Sequence, residues 1–454
     1  MVRMKGIDTG SKRLAYFLAA SIAAAFAALI LAAKREIGKS KKDWSRFGIP
    51  EWAKEVGWVR RVDFEYFINN EFDSEEPVVV ERSPARHWNA VKSWNEAYIK
   101  SRLKILKRVR ATIDGSNVFV YESNDRMMRL WADSTNNSAL EKRNIHVFDA
   151  MTSQEFFAET KRRYYYSHAF DSTLEEMLGE DAAPRDFYKS FGIPDIETMS
   201  PFNLWIARTG TITGMHFDPM HNAFLQIRGC KRFVLANASA SDALKLHSYW
   251  HPRDRQSQLE AKYKSARSAP VSVSVTDLKP GEMLLLPPFM FHRVSVIPCP
   301  ADAGGSAFSF SLNTWWDSKG KMIFDEYASV EQIPSMPIAS LAAVLRTLIS
   351  GLIAGTEPGV FARNLVEQRY MTRPELGKAM GCSDVEFNRC PSMASSSIDD
   401  QALSWARQVV DAFSALPSGV AKILLSDLIE RIVALAVSLP NSCPFLLCFA
   451  ASDE

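Results

Sequence analysis

The stretch "TITGMHFDPMHNAFLQIRGCKRF", residues 211–233, reads as short strands and carries His216, Asp218 and, inside an apolar run, Lys231. In a strand, residues i and i+2 point to the same side. His216 and Asp218 therefore share one face and Phe217 takes the other. A histidine and a carboxylate pointing into one space can be a hydrogen-bonded pair, an acid–base pair or two ligands of a metal. The His-x-Asp spacing alone decides nothing. With 52 acidic residues among 454 and eight histidines, about 0.9 such pairs arise by chance.

The context narrows the choice. The stretch "LKPGEMLLLPPFMFHRVSV", residues 278–296, puts His292 seventy-four residues beyond Asp218. Pro280-Gly281 makes a turn, "EMLLLP" a buried strand, Pro287-Pro288 a corner, and His292 opens the next strand. A closed two-sheet barrel brings His292 opposite His216 and Asp218. Two imidazoles and one carboxylate on one face of an ion, with the other positions open, form the ligand set of non-haem Fe(II) oxygenases. The open positions call for an electron-donating co-substrate. For 2-oxoglutarate, the keto-acid end chelates the metal and the far carboxylate needs a fixed cation. Lys231-Arg232 lies on a strand, so one side chain faces in and the other out. A buried Lys is costly unless paired, and a ligand carboxylate supplies the pair. Thr213, on the His216 strand, is a candidate hydroxyl partner. His221 faces away from His216 and is not read as a ligand.

Around this stretch, from about residue 111 to 318, short apolar runs alternate with Gly, Pro, Asp and Ser turns, which argues for a β-sandwich or barrel. Helical insertions are expected around 153–161 and 171–179. Upstream, residues 58–94 read as a helix, a turn and a short strand at Val78-Val79-Val80, and residues 95–110 read as a helix. From about 338, apolar residues recur at helical spacing in "IASLAAVLRTLISGLIAG", "DDQALSWARQVVDAFSAL" and "GVAKILLSDLIERIVALAVSL". Arg346 and Glu430-Arg431 favour core or interface helices over membrane spans. The domain division expected is 1–47, 48–318 and 319–454.

The apolar fraction is 47%, the charged fraction 23% and the formal net charge +2, which suits a globular protein without general affinity for nucleic acid. The charge is uneven. Residues 1–46 hold ten Lys/Arg and three Asp/Glu, about +7, leaving about −5 for the rest. Residues 14–33, "LAYFLAASIAAAFAALILAA", are uncharged between basic flanks. Twenty helical residues span about 30 Å, so a single-pass anchor in the endoplasmic reticulum or another endomembrane is expected. A cleaved signal peptide or a mitochondrial presequence, and with them a secretory-lumen or mitochondrial location, are the alternatives. Six basic residues after the span against four before it favour, slightly, a cytosolic body. The six cysteines form no CxxC, so neither a zinc module nor a redox pair is indicated. Cys382 with Cys390, or Cys443 with Cys448, can pair in a luminal body. Asn136-Asn137-Ser138 and Asn237-Ala238-Ser239 are glycosylation triplets that matter only in the secretory pathway.

Taken in order, these motifs resemble the JmjC/cupin-like 2-oxoglutarate oxygenases, and within them the asparaginyl hydroxylases. That group carries T-x-x-H-x-D, an Asn four residues later and G-x-K-R. Here these stand as Thr213, His216, Asp218, Asn222 and Gly229-Cys230-Lys231-Arg232. Its later histidine motif matches "PGEMLLLPPFMFH", its closing N-x-W matches Asn313-Thr314-Trp315, and its early element matches Pro77-Val78-Val79 and Trp88. The resemblance covers residues of about 55–318. It implies a mainly β (α+β overall) chain built on a double-stranded β-helix of the jelly-roll/cupin type. It implies Fe(II) held by His216, Asp218 and His292. It also implies 2-oxoglutarate and O2 as co-substrates, with Lys231, Thr213, Asn222 and Asn313 around them. A tyrosine before the barrel completes that set, and Tyr165 of "YYYSHAF" is chosen. The implied substrate is a protein side chain. Lysine demethylation, tRNA hydroxylation and a catalytically silent membrane-tethered cupin scaffold are the alternatives. Relatives often end in helices that form a homodimer.

Overall fold

Period-two alternation of apolar and polar residues builds two facing sheets. The computed structural model describes residues 49–452, except 51, 71–74, 114, 121–144, 159–162, 183–201, 261–270, 300–306, 330–332, 372–376, 378–380, 383–389, 392 and 394–397. Six strands pair in the order β1 (Ala53–Trp58), β12 (Val271–Leu278), β11 (Cys230–Ala236), β14 (Phe291–Ile297), β9 (Ile212–His216) and β5 (Val118–Phe119). Nine more pair in the order β2 (Arg60–Asp63), β3 (Val78–Glu81), β13 (Met283–Leu286), β10 (His221–Arg228), β15 (Phe308–Trp316), β8 (Asn203–Arg208), β7 (Tyr164–Ala169), β4 (Ile105–Thr112) and β6 (Ile145–Thr152). This is the jelly-roll barrel expected from the sequence.

Between the sheets, Val79, Phe224, Leu284 and Leu286 of the larger sheet pack with Phe233, Leu235 and Leu278 of the smaller one. Alternation divides β10 sharply. Ala223, Leu225 and Ile227 face an outer core shared with the helices before the barrel. Asn222 and Phe224 face the cavity between the sheets. Gly229 carries the chain from β10 to β11, from one sheet to the other. Its φ is +68°, and an added Cβ would sit 2.8 Å from the Phe308 carbonyl oxygen. Glycine meets both demands without steric cost.

Two local expectations change. Residues 95–110 divide into a helix, Glu96–Arg102, and strand β4. Leu103, Leu106 and Val109 recur every third residue and so imitate a helix. The cause is Arg108, whose φ of 55° interrupts the strand's alternation. Residues 58–68 likewise hold strand β2 before a one-turn helix, Phe64–Ile68.

The cysteine pairing also differs from both pairs considered. The bonds are Cys230–Cys299, Cys382–Cys443 and Cys390–Cys448. They span 69, 61 and 58 residues, so tertiary packing rather than local spacing sets them.

After β15 the chain is helical, with segments Lys319–Tyr327, Ile338–Leu352, Pro358–Arg369, Asp400–Ser414, Ser418–Val437 and Ser442–Ser452. A buried ionic cluster fastens them to the connection between β11 and β12. Arg369 donates to Asp427 and Glu430, each at 2.6 Å, and Glu430 accepts the Tyr249 N–H at 2.7 Å. Residues 14–33 lie outside the described residues. Among the described residues no single helix is long and apolar enough to cross a membrane. Ser418–Val437 and Leu439–Ser452 pass that test only as a pair bent by 110°, and Glu430 is fully buried within it.

Candidate metal centre

β9 and β14 are antiparallel neighbours, and His292 is directly opposite His216 in their register. Their rings lie 4.1 Å apart, centroid to centroid. Asp218 follows two residues beyond His216, on the same side. Phe217 turns away to pack on Phe289 and Phe291 at 5.6 and 5.3 Å. The Phe289 N–H donates to the Asp218 carbonyl at 2.7 Å, which ties the two motif segments together. One ligand atom from each of His216, Asp218 and His292 lies within 4.8 Å of the others.

The backbone sets the tautomer of both imidazoles. His216 Nδ1 is 2.8 Å from the Gly214 carbonyl and His292 Nδ1 is 3.0 Å from the Met290 carbonyl. A carbonyl only accepts, so each Nδ1 carries the proton and each Nε2 keeps its lone pair for a metal. Burial first, and the neighbouring His292 second, lower the His216 pKa to about 4, which keeps the ring neutral as a ligand must be. Burial alone would raise Asp218. The neighbouring His216, His292 and Arg255 outweigh it and hold the carboxylate below its ordinary range. The donor set thus fits a divalent first-row metal.

The remaining expected residues line the same cavity, of ≈ 60 Å³: Tyr165, Thr213, Asn222, Lys231 and Asn313. Lys231 is 3% exposed. No hydrogen bond or ion pair holds its ammonium among the described residues, and its Nζ lies 4.8 Å from the centre of the Phe224 ring. Burial lowers its pKa to about 7. Arg232 points to the other side and clasps Asp277 through two bonds of 2.6 Å. Of the three consecutive tyrosines, strand alternation sends Tyr165 into the cavity, and Tyr164 and Tyr166 to the outer core. Thr213 and Tyr165 hydroxyls are 3.5 Å apart. Burial pushes the Tyr165 phenol up to about 12, so it stays a neutral donor.

Asn222 and Asn313 are bonded to each other. Asn313 Nδ2 donates to Asn222 Oδ1 at 2.9 Å, and Asn313 Oδ1 accepts the Trp205 indole N–H at 2.6 Å. The sequence reading did not include Trp205. Its place between Leu204 and Ile206 in "NLWIAR" is the signal, since both flanking residues face the outer core. Arg255 was also missed. Its Nη1 lies 3.8 Å from Asp218 Oδ1, and nothing in the patternless connection around it points to the site. His221 stacks on Trp316 at 5.1 Å and takes no part in the triad.

Residues 65–322 match the cupin-like domain family. Among curated proteins the chain is similar to "Jumonji C domain-containing protein 5" of Drosophila melanogaster, 28% identical over 146 residues, 28% of this chain and 33% of that one. It is also similar to "JmjC domain-containing protein E" of Dictyostelium discoideum, 22% identical over 300 residues, 55% of this chain and 80% of that one. A third relative is "Lysine-specific demethylase JMJ30" of Arabidopsis thaliana, 23% identical over 265 residues, 57% of this chain and 54% of that one. The chain spans about half or less of most of these relatives. Among solved structures, the Escherichia coli ribosomal oxygenase YcfD aligns at a TM-score of 0.31 and 13% identity, over 80% of this chain and 70% of that one. With more than half its length matched, this chain belongs to the cupin-like domain family.

Proposed function

We propose that the protein is an Fe(II)- and 2-oxoglutarate-dependent dioxygenase that hydroxylates a protein side chain. The observation that carries this reading is the Lys231 ammonium, buried without an anionic partner in the cavity that holds His216, Asp218 and His292. A cation in that position is costly unless a ligand anion completes it. Bound iron supplies the oxidising chemistry, with O2 consumed and 2-oxoglutarate converted to succinate and carbon dioxide. His216 Nε2, His292 Nε2 and an Asp218 oxygen would hold the metal. Lys231 would pair with the far carboxylate of the co-substrate, and the Tyr165 and Thr213 hydroxyls would donate to it. Phe224, Phe233, Val294 and Val296 line the cavity and exclude water from it.

The Arabidopsis relative's name supports a second reading, in which the same centre demethylates lysine. Incubation with iron, 2-oxoglutarate and a peptide library containing methylated lysines separates the two. Gain of one oxygen on a peptide supports hydroxylation. Loss of methyl groups from the methylated lysines, with no oxygen gained elsewhere, overturns it.

A further inference from the structure

All six cysteines of the chain are paired, and none is free. The paired Cα atoms lie 5.0, 5.2 and 5.4 Å apart, within the ordinary range for disulfides. Two of the bonds fasten Cys382 and Cys390 to the last helix, Ser442–Ser452. The third joins β11, beside Lys231, to the chain just past β14. Complete pairing across three long separations is the pattern of a chain that matures in an oxidising compartment. Glutathione keeps cytosolic thiols reduced.

An independent feature agrees. Asn237-Ala238-Ser239 is an N-x-S triplet that forms a surface turn directly after β11, with Asn237 and Ser239 exposed. Asn237 caps this short 3-10 turn without a side-chain hydrogen bond, so the fold makes no use of its amide there. The turn borders an open cleft of ≈ 450 Å³, facing Pro287–Phe289 and the start of the helix Ser418–Val437.

We infer that the oxygenase body lies in the lumen of the secretory pathway, where its cysteines are oxidised in three pairs and Asn237 carries an N-linked glycan. This orientation is the reverse of the one the basic residues after position 33 favour. Each pair forms by loss of two protons and two electrons to a disulfide-bearing oxidant, which is reduced to its dithiol. At Asn237, Nδ2 forms a bond to the anomeric carbon of a lipid-pyrophosphate-linked oligosaccharide. The carbon–oxygen bond to the pyrophosphate breaks, and the amide loses one proton. On the hydroxylase reading above, on which this last step rests, the substrates are then polypeptides that pass through the same lumen.

The test uses the full chain expressed in a eukaryotic cell and trapped with a thiol-alkylating reagent at lysis. After unfolding without reduction, no cysteine should be alkylated, and all six should become so after reduction. An N-glycosidase should increase the gel mobility of the protein, and Asn237→Gln should remove that glycan, with Asn136→Gln as the matched comparison. Free thiols in the trapped protein overturn the luminal assignment. A glycosidase response unchanged by Asn237→Gln overturns the modification site. Neither readout depends on catalysis, so failure here is distinct from failure of the hydroxylase reading.

Discussion

Lys231 and Arg232 are neighbours on one strand and meet opposite surroundings. The ammonium is buried in the metal-site cavity, and the guanidinium pairs with Asp277 on the other side. A charge-assisted contact from Lys231 to a ligand carboxylate is worth roughly 1.5–3 kcal/mol. Lys231→Ala should therefore raise the 2-oxoglutarate requirement by about 10- to 100-fold while iron binding is kept. Lys231→Arg should recover only part, since a planar guanidinium does not match an ammonium site. Arg232→Ala should leave 2-oxoglutarate affinity unchanged and cost up to about 1 kcal/mol of stability, because the Asp277 pair is partly exposed. Isothermal titration of each variant with iron and with 2-oxoglutarate measures the separation.

The Lys231 pKa also sets a pH dependence. It is about 7 in the folded protein against 10.5 when exposed. Between those values the unfolded chain holds a proton that the folded chain lacks, so ligand-free stability should rise with pH through that window. Binding the dicarboxylate needs the ammonium, so affinity should fall above about pH 7, approaching tenfold per pH unit. Titrations from pH 6 to 9 check this, and Lys231→Ala should flatten the slope.

Asn313 bridges Trp205 and Asn222. Asn313→Ala leaves an indole N–H and an amide oxygen buried without partners, at about 1–3 kcal/mol for each. Denaturant unfolding should show a loss in that range. A variant as stable as the parent would mean that water replaces the amide.

Arg369 pairs with both Asp427 and Glu430 at the joint between barrel and helices. Removing one partner of a buried ionic cluster costs about 3–5 kcal/mol. Arg369→Met should destabilise the fold by that order, read as a fall in thermal midpoint. A variant that melts at the parent's temperature would show that the cluster adds no stability.

The triad and Lys231 were legible in the sequence because strand periodicity fixes facing, and because Gly229, Pro280-Gly281 and Pro287-Pro288 punctuate the strands around them. Where that periodicity breaks, the reading failed. Arg108, with its positive φ, breaks the in-out alternation of β4 and made a strand look like a helix. Arg255 reaches Asp218 from a connection whose path depends on the helices it packs against, and so has no local signature. The cysteine bonds join residues at least 58 positions apart, beyond the reach of any spacing rule.

The central claim is that His216, Asp218 and His292 hold an iron to which 2-oxoglutarate is then recruited by Lys231. Anaerobic titration of the purified protein with Fe(II) and then 2-oxoglutarate tests it most directly. A weak visible charge-transfer band should grow to one equivalent, be absent in His216→Ala, and require more 2-oxoglutarate in Lys231→Ala. Stoichiometric iron binding with no band at saturating 2-oxoglutarate would contradict the account.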